Sequence, residues 1–280
     1  MFVQFLKSAL GSVLLMTYTT LYANVFTVTN TNDAGTGSLR AAIAAANADV
    51  NAPHTILFDA AFFNTSRTIT LITALPSITR NTNIVGPASP NTLTVSGSGT
   101  GFRLFGFGAI TATLENLHIT VTNSNQGGSI ANIGAGSTIT FLNCEIFDAV
   151  NSSNAAISAQ TGSVLNIARC TFRNNQAATG AALRINAGVL NVMNSTFTGN
   201  TAGSGGAIYC SGGNTTITHC TFYNNTAVTS GGAIWIGAGV IVRINNTLLL
   251  NNASSGPNTG PNISGTANSD AGHNIITSLG

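Results

Sequence analysis

The second half of the chain repeats one unit five times, and this periodicity constrains the fold more than any other feature. The segments C-E-I (residues 144–146), C-T-F-R-N-N (170–175), S-T-F-T-G-N (195–200), C-T-F-Y-N-N (220–225) and N-T-L-L-L-N (246–251) are variants of that unit. Their apolar anchors Ile146, Phe172, Phe197, Phe222 and Leu248 lie 26, 25, 25 and 26 residues apart. A second motif keeps step between them: A-A-I ending at Ile157, A-A-L at Leu183, and G-G-A-I at Ile208 and at Ile234. Units this short cannot bury an apolar face alone, so they must stack into a solenoid.

Within the clean units the apolar residues alternate and then skip a step. Leu165 and Ile167 precede Cys170 and Phe172; Leu190 and Val192 precede Ser195 and Phe197. Alternation is the signature of a strand, and the skip marks a corner where the chain passes from one sheet to the next. With the Ala-Ile segment this makes three short strands per coil. The expected fold is all-β, a right-handed single-stranded parallel β-helix whose coils rise about 4.8 Å. A propeller needs four strands in roughly 40 residues per repeat, so the period is too short for one. The five anchors should form one buried column. Asn175, Asn200, Asn225 and Asn251 should form an asparagine column at a turn, with amides bonding along the stack.

The same alignment governs the four cysteines. Cys144, Cys170 and Cys220 share the repeat position held elsewhere by Ser195 and Asn246, so they are expected to point inward as free thiols. Cys170 and Cys220 would stand two coils, about 9.6 Å, apart and beyond disulfide reach; Cys144 and Cys170 fall just within it. Cys210 has no counterpart in the other units.

Upstream, T-I-T-L-I (68–72), N-T-L-T-V (91–95), F-R-L-F (102–105), L-H-I-T-V (117–121) and T-I-T-F-L (138–142) read as further strands. Before them lies the one convincing helix, alanine-rich over residues 38–47. Ser38 is placed to cap it, and Leu39, Ala42, Ile43 and Ala46 share one face. Such a helix can cover the first rung of a stack. Residues 1–23 read as a secretory signal, with Lys7 as the positive end, an apolar run over 9–16 and a small residue, Ala23, at the cut. The expected organisation is therefore a signal over 1–23, a strand–helix cap over 24–67, the β-helix over 68–258, and an irregular end over 259–280.

Only 6% of the 280 residues are charged, and the lone lysine is in the leader. Eight arginines then face seven acids, which leaves no basic face for nucleic acid. The surface must be built from Asn, Ser and Thr. After signal cleavage no segment is long and apolar enough to span a bilayer as a helix.

The paired motifs carry a resemblance. F-x-x-N with G-G-A-I (Phe197 and Asn200 with Ile208; Phe222 and Asn225 with Ile234), and more loosely Phe172 and Asn175 with Leu183, resembles the repeat of the polymorphic outer-membrane proteins, autotransporter-type adhesins. The stretches V-T-N-T-N-D-A-G-T-G-S-L-R-A-A-I (28–43), T-I-L-F-D (55–59) and T-I-T-L (68–71) resemble the opening of large bacterial surface proteins of the right-handed, pectate-lyase-like β-helix class. The two resemblances imply a secreted or surface-exposed passenger domain, outer-membrane associated and usually non-enzymatic. Those adhesins end in a membrane-embedded barrel, and no run of ten-residue alternating strands like theirs occurs here. The chain is accordingly expected to be a fragment, or to be released or anchored by other means.

Enzymes on this fold cleave acidic polysaccharides and need clustered carboxylates. The acids are Asp33, Asp49, Asp59, Glu115, Glu145, Asp148 and Asp270, with none from 149 to 269, across every clean coil. Glu145 and Asp148 read as solvated turn residues. His54, His118, His219 and His273 lack metal spacing. A lyase or hydrolase is therefore the lesser alternative, and no cofactor or metal is expected. An ice-binding threonine array is also broken, because the positions equivalent to Thr216 and Thr218 hold Asn166 with Ala168 and Asn191 with Met193. Any binding surface should instead follow the Ala-Ile strand. If Ile157, Leu183, Ile208 and Ile234 point inward, then Ser158, Arg184, Tyr209 and Trp235 point outward. Arg184, Tyr209 and Trp235 form the candidate strip, suited to a glycan or to a cell-surface protein's apolar edge, the alternative being that the strip stacks on itself, or lies under a loop, purely for stability.

Overall fold

A computed structural model gives the fold and describes residues 24–98, 101–121, 129–150, 155–256, 260–267, 269–270 and 273–277. The expected leader lies outside the described residues. Apart from one helix the described residues are all-β, and they wind into a parallel β-solenoid of about nine turns. Among the described residues the strands fall into four parallel sheets of ten, nine, six and four strands, each taking one strand from successive coils.

The inward columns form as the repeat requires. Ile146 pairs with Phe172, Phe172 with Phe197 and Phe197 with Phe222. The three phenylalanine rings lie flat on one another, at centroid distances of 4.9 and 4.7 Å and interplanar angles of 5° and 4°. That spacing is the coil rise itself, so ring stacking and backbone pairing reinforce each other. The column then continues into Leu249 rather than Leu248: Phe222 pairs with Leu249, which is fully buried, while Leu248 pairs with Thr221 and is half-buried. Two single-residue insertions displace the frame. One is the irregularity that sets Ala202 against Ala227 but Ser204 against Ser230. The other lies in the turn after Ile234–Ile236, since Cys210 pairs with Ile236 but Asn214 pairs with Ile241. Three consecutive leucines, Leu248 to Leu250, hide the slip in the sequence.

The same shift corrects the asparagine column, which comprises Asn175, Asn200, Asn225 and Asn252. Each is buried. The Asn175 side-chain amide donates to Asn200 Oδ1 at 2.9 Å, Asn200 to Asn225 at 2.9 Å, and Asn225 to Asn252 at 2.8 Å. Each Nδ2 also donates back to a carbonyl of the preceding coil: Ile146, Phe172, Phe197 and Phe222 in turn. Each Oδ1 further accepts a backbone N–H from that coil, as Asn200 does from Asn175 at 3.1 Å. Two bonds donated and two accepted saturate the amide of Asn200 inside the core. Asn251 instead occupies the neighbouring turn position, at φ 55°, with Asn174 at 55° and Asn224 at 54°. Asparagine tolerates the left-handed region there.

The position shared by the cysteines also has a common job. The Cys144 N–H donates to Cys170 Sγ at 3.4 Å, the Cys170 N–H to Ser195 Oγ at 3.1 Å, and the Cys220 N–H to Thr247 Oγ1 at 3.3 Å. Thr247, not Asn246, is the equivalent in the last unit. All four cysteines are free and buried. Burial pushes the Cys144 thiol well up, and takes Cys210 and Cys220 up to about 11.

Three further differences separate the structure from the sequence reading. From Gln176 onward each coil has a fourth short strand, over Gln176–Thr179, Thr201–Ser204, Thr226–Ser230 and Ala253–Ser254. Its inward residues are only alanines, Ala177, Ala202 and Ala227, so it carries no bulky apolar signal. The segment 24–67 also supplies rungs: Asn24–Val28 and His54–Phe58 pair in parallel at the start of the ten-stranded sheet. At the other end Ile263–Ser264, Ser269–Asp270 and Ile275–Thr277 extend three of the sheets past residue 258. The helix forms over Leu39–Ala48 with Ser38 accepting from the Ala41 N–H, and it buries Leu39, Ala42, Ile43 and Ala46.

The columns make two predictions. Phe197→Ala should lower stability by about 3–5 kcal/mol, because the coils on either side cannot close around the void. Asn200→Leu should cost about 2–4 kcal/mol although it adds apolar surface, since it strands buried donors of Asn175. Denaturation midpoints check both; an Asn200→Leu protein as stable as wild type would show that the amide ladder is not structural. Thiol titration checks the cysteines: all four should resist a thiol reagent at pH 8 in the folded protein and react once it is unfolded.

Candidate functional site

The strand carrying the Ala-Ile motif repeats in register over Ile157–Ala159, Leu183–Ile185, Ile208–Cys210 and Ile234–Ile236. Ile157, Leu183, Ile208 and Ile234 are fully buried. On the alternate positions Ser158 pairs with Arg184, Arg184 with Tyr209, Tyr209 with Trp235, and Trp235 with Ser264. Arg184, Tyr209 and Trp235 are half-buried rather than openly exposed, and Ser158 is buried at 4%. Two glycines let the coils approach closely beside the strip. Gly205 has φ 59°, and a Cβ there would stand 3.2 Å from Trp235 Cβ and 2.2 Å from the Ile208 carbonyl. A Cβ on Gly206 would be 2.0 Å from the Gly232 carbonyl. Close packing of coils is what the G-G pair secures.

The strip is arranged differently from a row of presented aromatic faces. The Tyr209 and Trp235 rings stack at 4.2 Å and 5°, and the Arg184 guanidinium carbon sits 5.9 Å from the Tyr209 centroid. The ring normals therefore run along the rod, and the faces are turned toward neighbouring coils. Beside them is a row of amides. Arg184 Nε donates to Asn186 Oδ1 at 2.9 Å, Asn186 donates to Gln160 Oε1 at 2.7 Å, and Gln160 donates to Asn132 Oδ1 at 2.9 Å.

A second constellation lies on the outer side of the nine-stranded sheet. Glu145 pairs in register with His118 of the preceding coil, and its neighbour Phe147 with Arg173 of the following coil. His118 Nδ1 lies 2.8 Å from Glu145 Oε2, while Arg173 Nε bonds to Glu145 Oε1. The Arg173 guanidinium also lies 4.4 Å from the Phe147 centroid and 3.6 Å from an Asp148 oxygen. His118 borders an open groove of about 350 Å³, with Pro87, Pro90, Asn116 and Asn143 among its walls. Glu145 and Asp148, read from the sequence as solvated turn residues, are thus members of an ion-pair cluster. Its sequence signal was a spacing of 27 residues from His118 to Glu145, one coil length, and of 28 from Glu145 to Arg173, one 26-residue coil plus a two-residue step along the strand, in a region too irregular to fix the register by eye.

The outer face of the ten-stranded sheet sets Thr113 against Thr140, then Asn166, Asn191 and Thr216. Asparagines therefore interrupt the threonine row, as the repeat alignment implied. Among the described residues no group of three or more His, Cys, Asp or Glu side chains gathers where it could hold a metal ion. None of their helices is long and apolar enough to cross a membrane.

Comparison with known proteins places two segments. Residues 194–211 and 219–237 match the Chlamydia polymorphic membrane protein repeat. Each segment is most of one coil, running from the phenylalanine column through the ladder asparagine to the Ala-Ile strand. No curated protein matches the chain. The repeat and the β-solenoid together fit an autotransporter-passenger-like protein, and the repeat suggests exposure at the outer membrane or cell surface.

Trp235 is the only tryptophan, so the strip has an intrinsic reporter. Tyr209→Ala removes the ring stacked on it, which should red-shift the emission and cost about 1 kcal/mol. Unchanged emission would mean that the two rings do not stack in solution.

Proposed function

We propose that this is an exported, non-catalytic, adhesin-like surface protein that binds a glycan or cell-surface partner through the side of the rod carrying Arg184, Tyr209 and Trp235. The observation that carries the reading is where the matched repeats fall: the first includes Tyr209 and the second includes Trp235. The repeat thus supplies both the stacked core and the aromatic strip. The surface chemistry supports it, because Asn, Ser and Thr side chains offer hydrogen bonds without a net field, which suits neutral hydroxylated partners better than polyanions. The mature chain, freed of residues 1–23, should be reachable by antibody and by added protease on intact cells. It should also bind target cells when purified. Protection of the chain in intact cells, or no cell binding by the purified protein, would count against the proposal.

One observation favours the rival reading, a polysaccharide-active lyase or hydrolase. The His118–Glu145–Arg173 cluster borders a groove, and paired ionisable groups beside a cleft are what such chemistry uses. Yet both Glu145 oxygens are engaged by basic side chains, which favours an anchoring role. Uronate polymers incubated with the mature protein should yield no new reducing or unsaturated ends. Turnover that disappears in Glu145→Gln would establish the enzyme instead.

A further inference from the structure

The outer face of the ten-stranded sheet carries a charge pattern that the repeat does not require. Six strands stack there in register: Thr111–Glu115, Thr138–Leu142, Val164–Ala168, Val189–Met193, Asn214–Thr218 and Ile241–Asn245. On each strand the first, third and fifth side chains point outward. Only two of these outward side chains are charged, Glu115 on the first strand and Arg243 on the last. Among the described side chains neither enters an ion pair within the chain. Arg169 and His219 stand at the corner that follows the strands, where Arg169 donates to Asn143 Oδ1 at 2.7 Å and His219 lies 3.2 Å from the Asn246 amide. The midpoint of the six strands falls between Val164–Ala168 and Val189–Met193, with Glu115 and Arg243 on the outermost strands to either side. The surface is uneven at that midpoint. Ala168 is small, its in-register neighbour Met193 is 47% exposed, and a hollow of about 300 Å³ opens beside them, with Asn166 and Asn191 among its walls.

We propose that this face docks a second copy of the chain, with the two rods antiparallel about a twofold axis running along the strands through that midpoint. Rotation about such an axis keeps each outward column opposite itself and reverses the order of the coils. Glu115 then faces the second copy's Asn245, one outward position from its Arg243. Those two positions are about 7 Å apart along the strand, a gap that an arginine side chain spans. Symmetry forms the same ion pair twice. Met193 faces the second copy's Ala168, so the long side chain enters the hollow over the short one, again in both directions. Parallel rods would instead set each charged strand against its own counterpart and form no such pair. Two sheets packed face to face about 10 Å apart, with strands nearly aligned, have the ordinary sandwich geometry. The face measures about 24 Å by 16 Å, at the small end of specific interfaces, so the dimer is a weak and reversible one. The strip of Arg184, Tyr209 and Trp235 lies on a different sheet and stays uncovered in both copies.

Sedimentation equilibrium of the mature full chain tests the dimer. Wild type should associate with a Kd on the order of 10–100 μM, and added salt should weaken it. Glu115→Arg and Arg243→Glu each bring like charges together at two places. Each alone should weaken association by at least roughly tenfold. The double variant carrying both reversals restores opposite charges and should return to within about threefold of wild type. Thermal midpoints near that of wild type show that every variant folds, as expected for exposed positions. Wild type that remains monomeric throughout, single reversals without effect, or a double variant no better than the singles overturns the proposal. Cell binding measured in parallel separates the other occupant. If wild type is monomeric and Met193→Arg abolishes its binding to cells, the face belongs to a cell-surface partner and not to a second copy.

Discussion

Backbone pairing between successive coils, in strict register, is the constraint on which everything else depends. Each strand of a coil finds its partner one turn away, so a residue has as neighbours the residues about 25 positions before and after it. Identical side chains are driven into contact, and only those that tolerate their own kind survive inside. Phenylalanine does so by flat stacking at the coil rise. Asparagine does so by donating and accepting twice each, which turns an otherwise costly buried amide into a closed ladder. Cysteine, serine and threonine can share a column because each supplies an acceptor for a backbone N–H of the preceding coil.

The same rule builds the outside. Tyr209 and Trp235 are 26 residues apart and in van der Waals contact; His118, Glu145 and Arg173 come from three coils and form one ion-pair cluster. Insertions are admitted only where they do not break the pairing. Both extra residues of the coil after Asn225 sit away from the phenylalanine column, one as an irregularity beside Thr226–Ser230 and one in the turn after Ile234–Ile236. The solenoid absorbs length at its edges and preserves the inward order.

The sequence was legible wherever side chains were large and the period clean. Phe172, Phe197 and Phe222, the helix Leu39–Ala48 with its Ser38 cap, and the inward Ile208 and Ile234 all stand where the pattern put them. It failed by one residue at Leu248 and Asn251, because a leucine triplet and an Asn-Asn pair look the same in either frame. Structure resolves them: Asn252 enters the ladder while Asn251 makes the left-handed turn. The alanine-lined fourth strand was invisible because its inward face has nothing larger than a methyl group. For the strip, the alternation correctly put Arg184, Tyr209 and Trp235 in one column, but it left open whether the rings face a partner or stack on one another. Stacking along the rod, not presentation toward solvent, is a consequence of the 4.2 Å approach of the two rings.

Disulfide trapping tests the register most directly. Thr196 and Thr221 face each other on adjacent coils, whereas Thr171 and Thr221 are separated by the coil between them. In-register stacking places the first pair about 4.8 Å apart and the second about 9.6 Å apart. Thr196→Cys with Thr221→Cys should therefore oxidise readily in the folded protein, and Thr171→Cys with Thr221→Cys should remain reduced under the same conditions. A reversed preference, or equal oxidation of both pairs, would contradict the stacked-coil account.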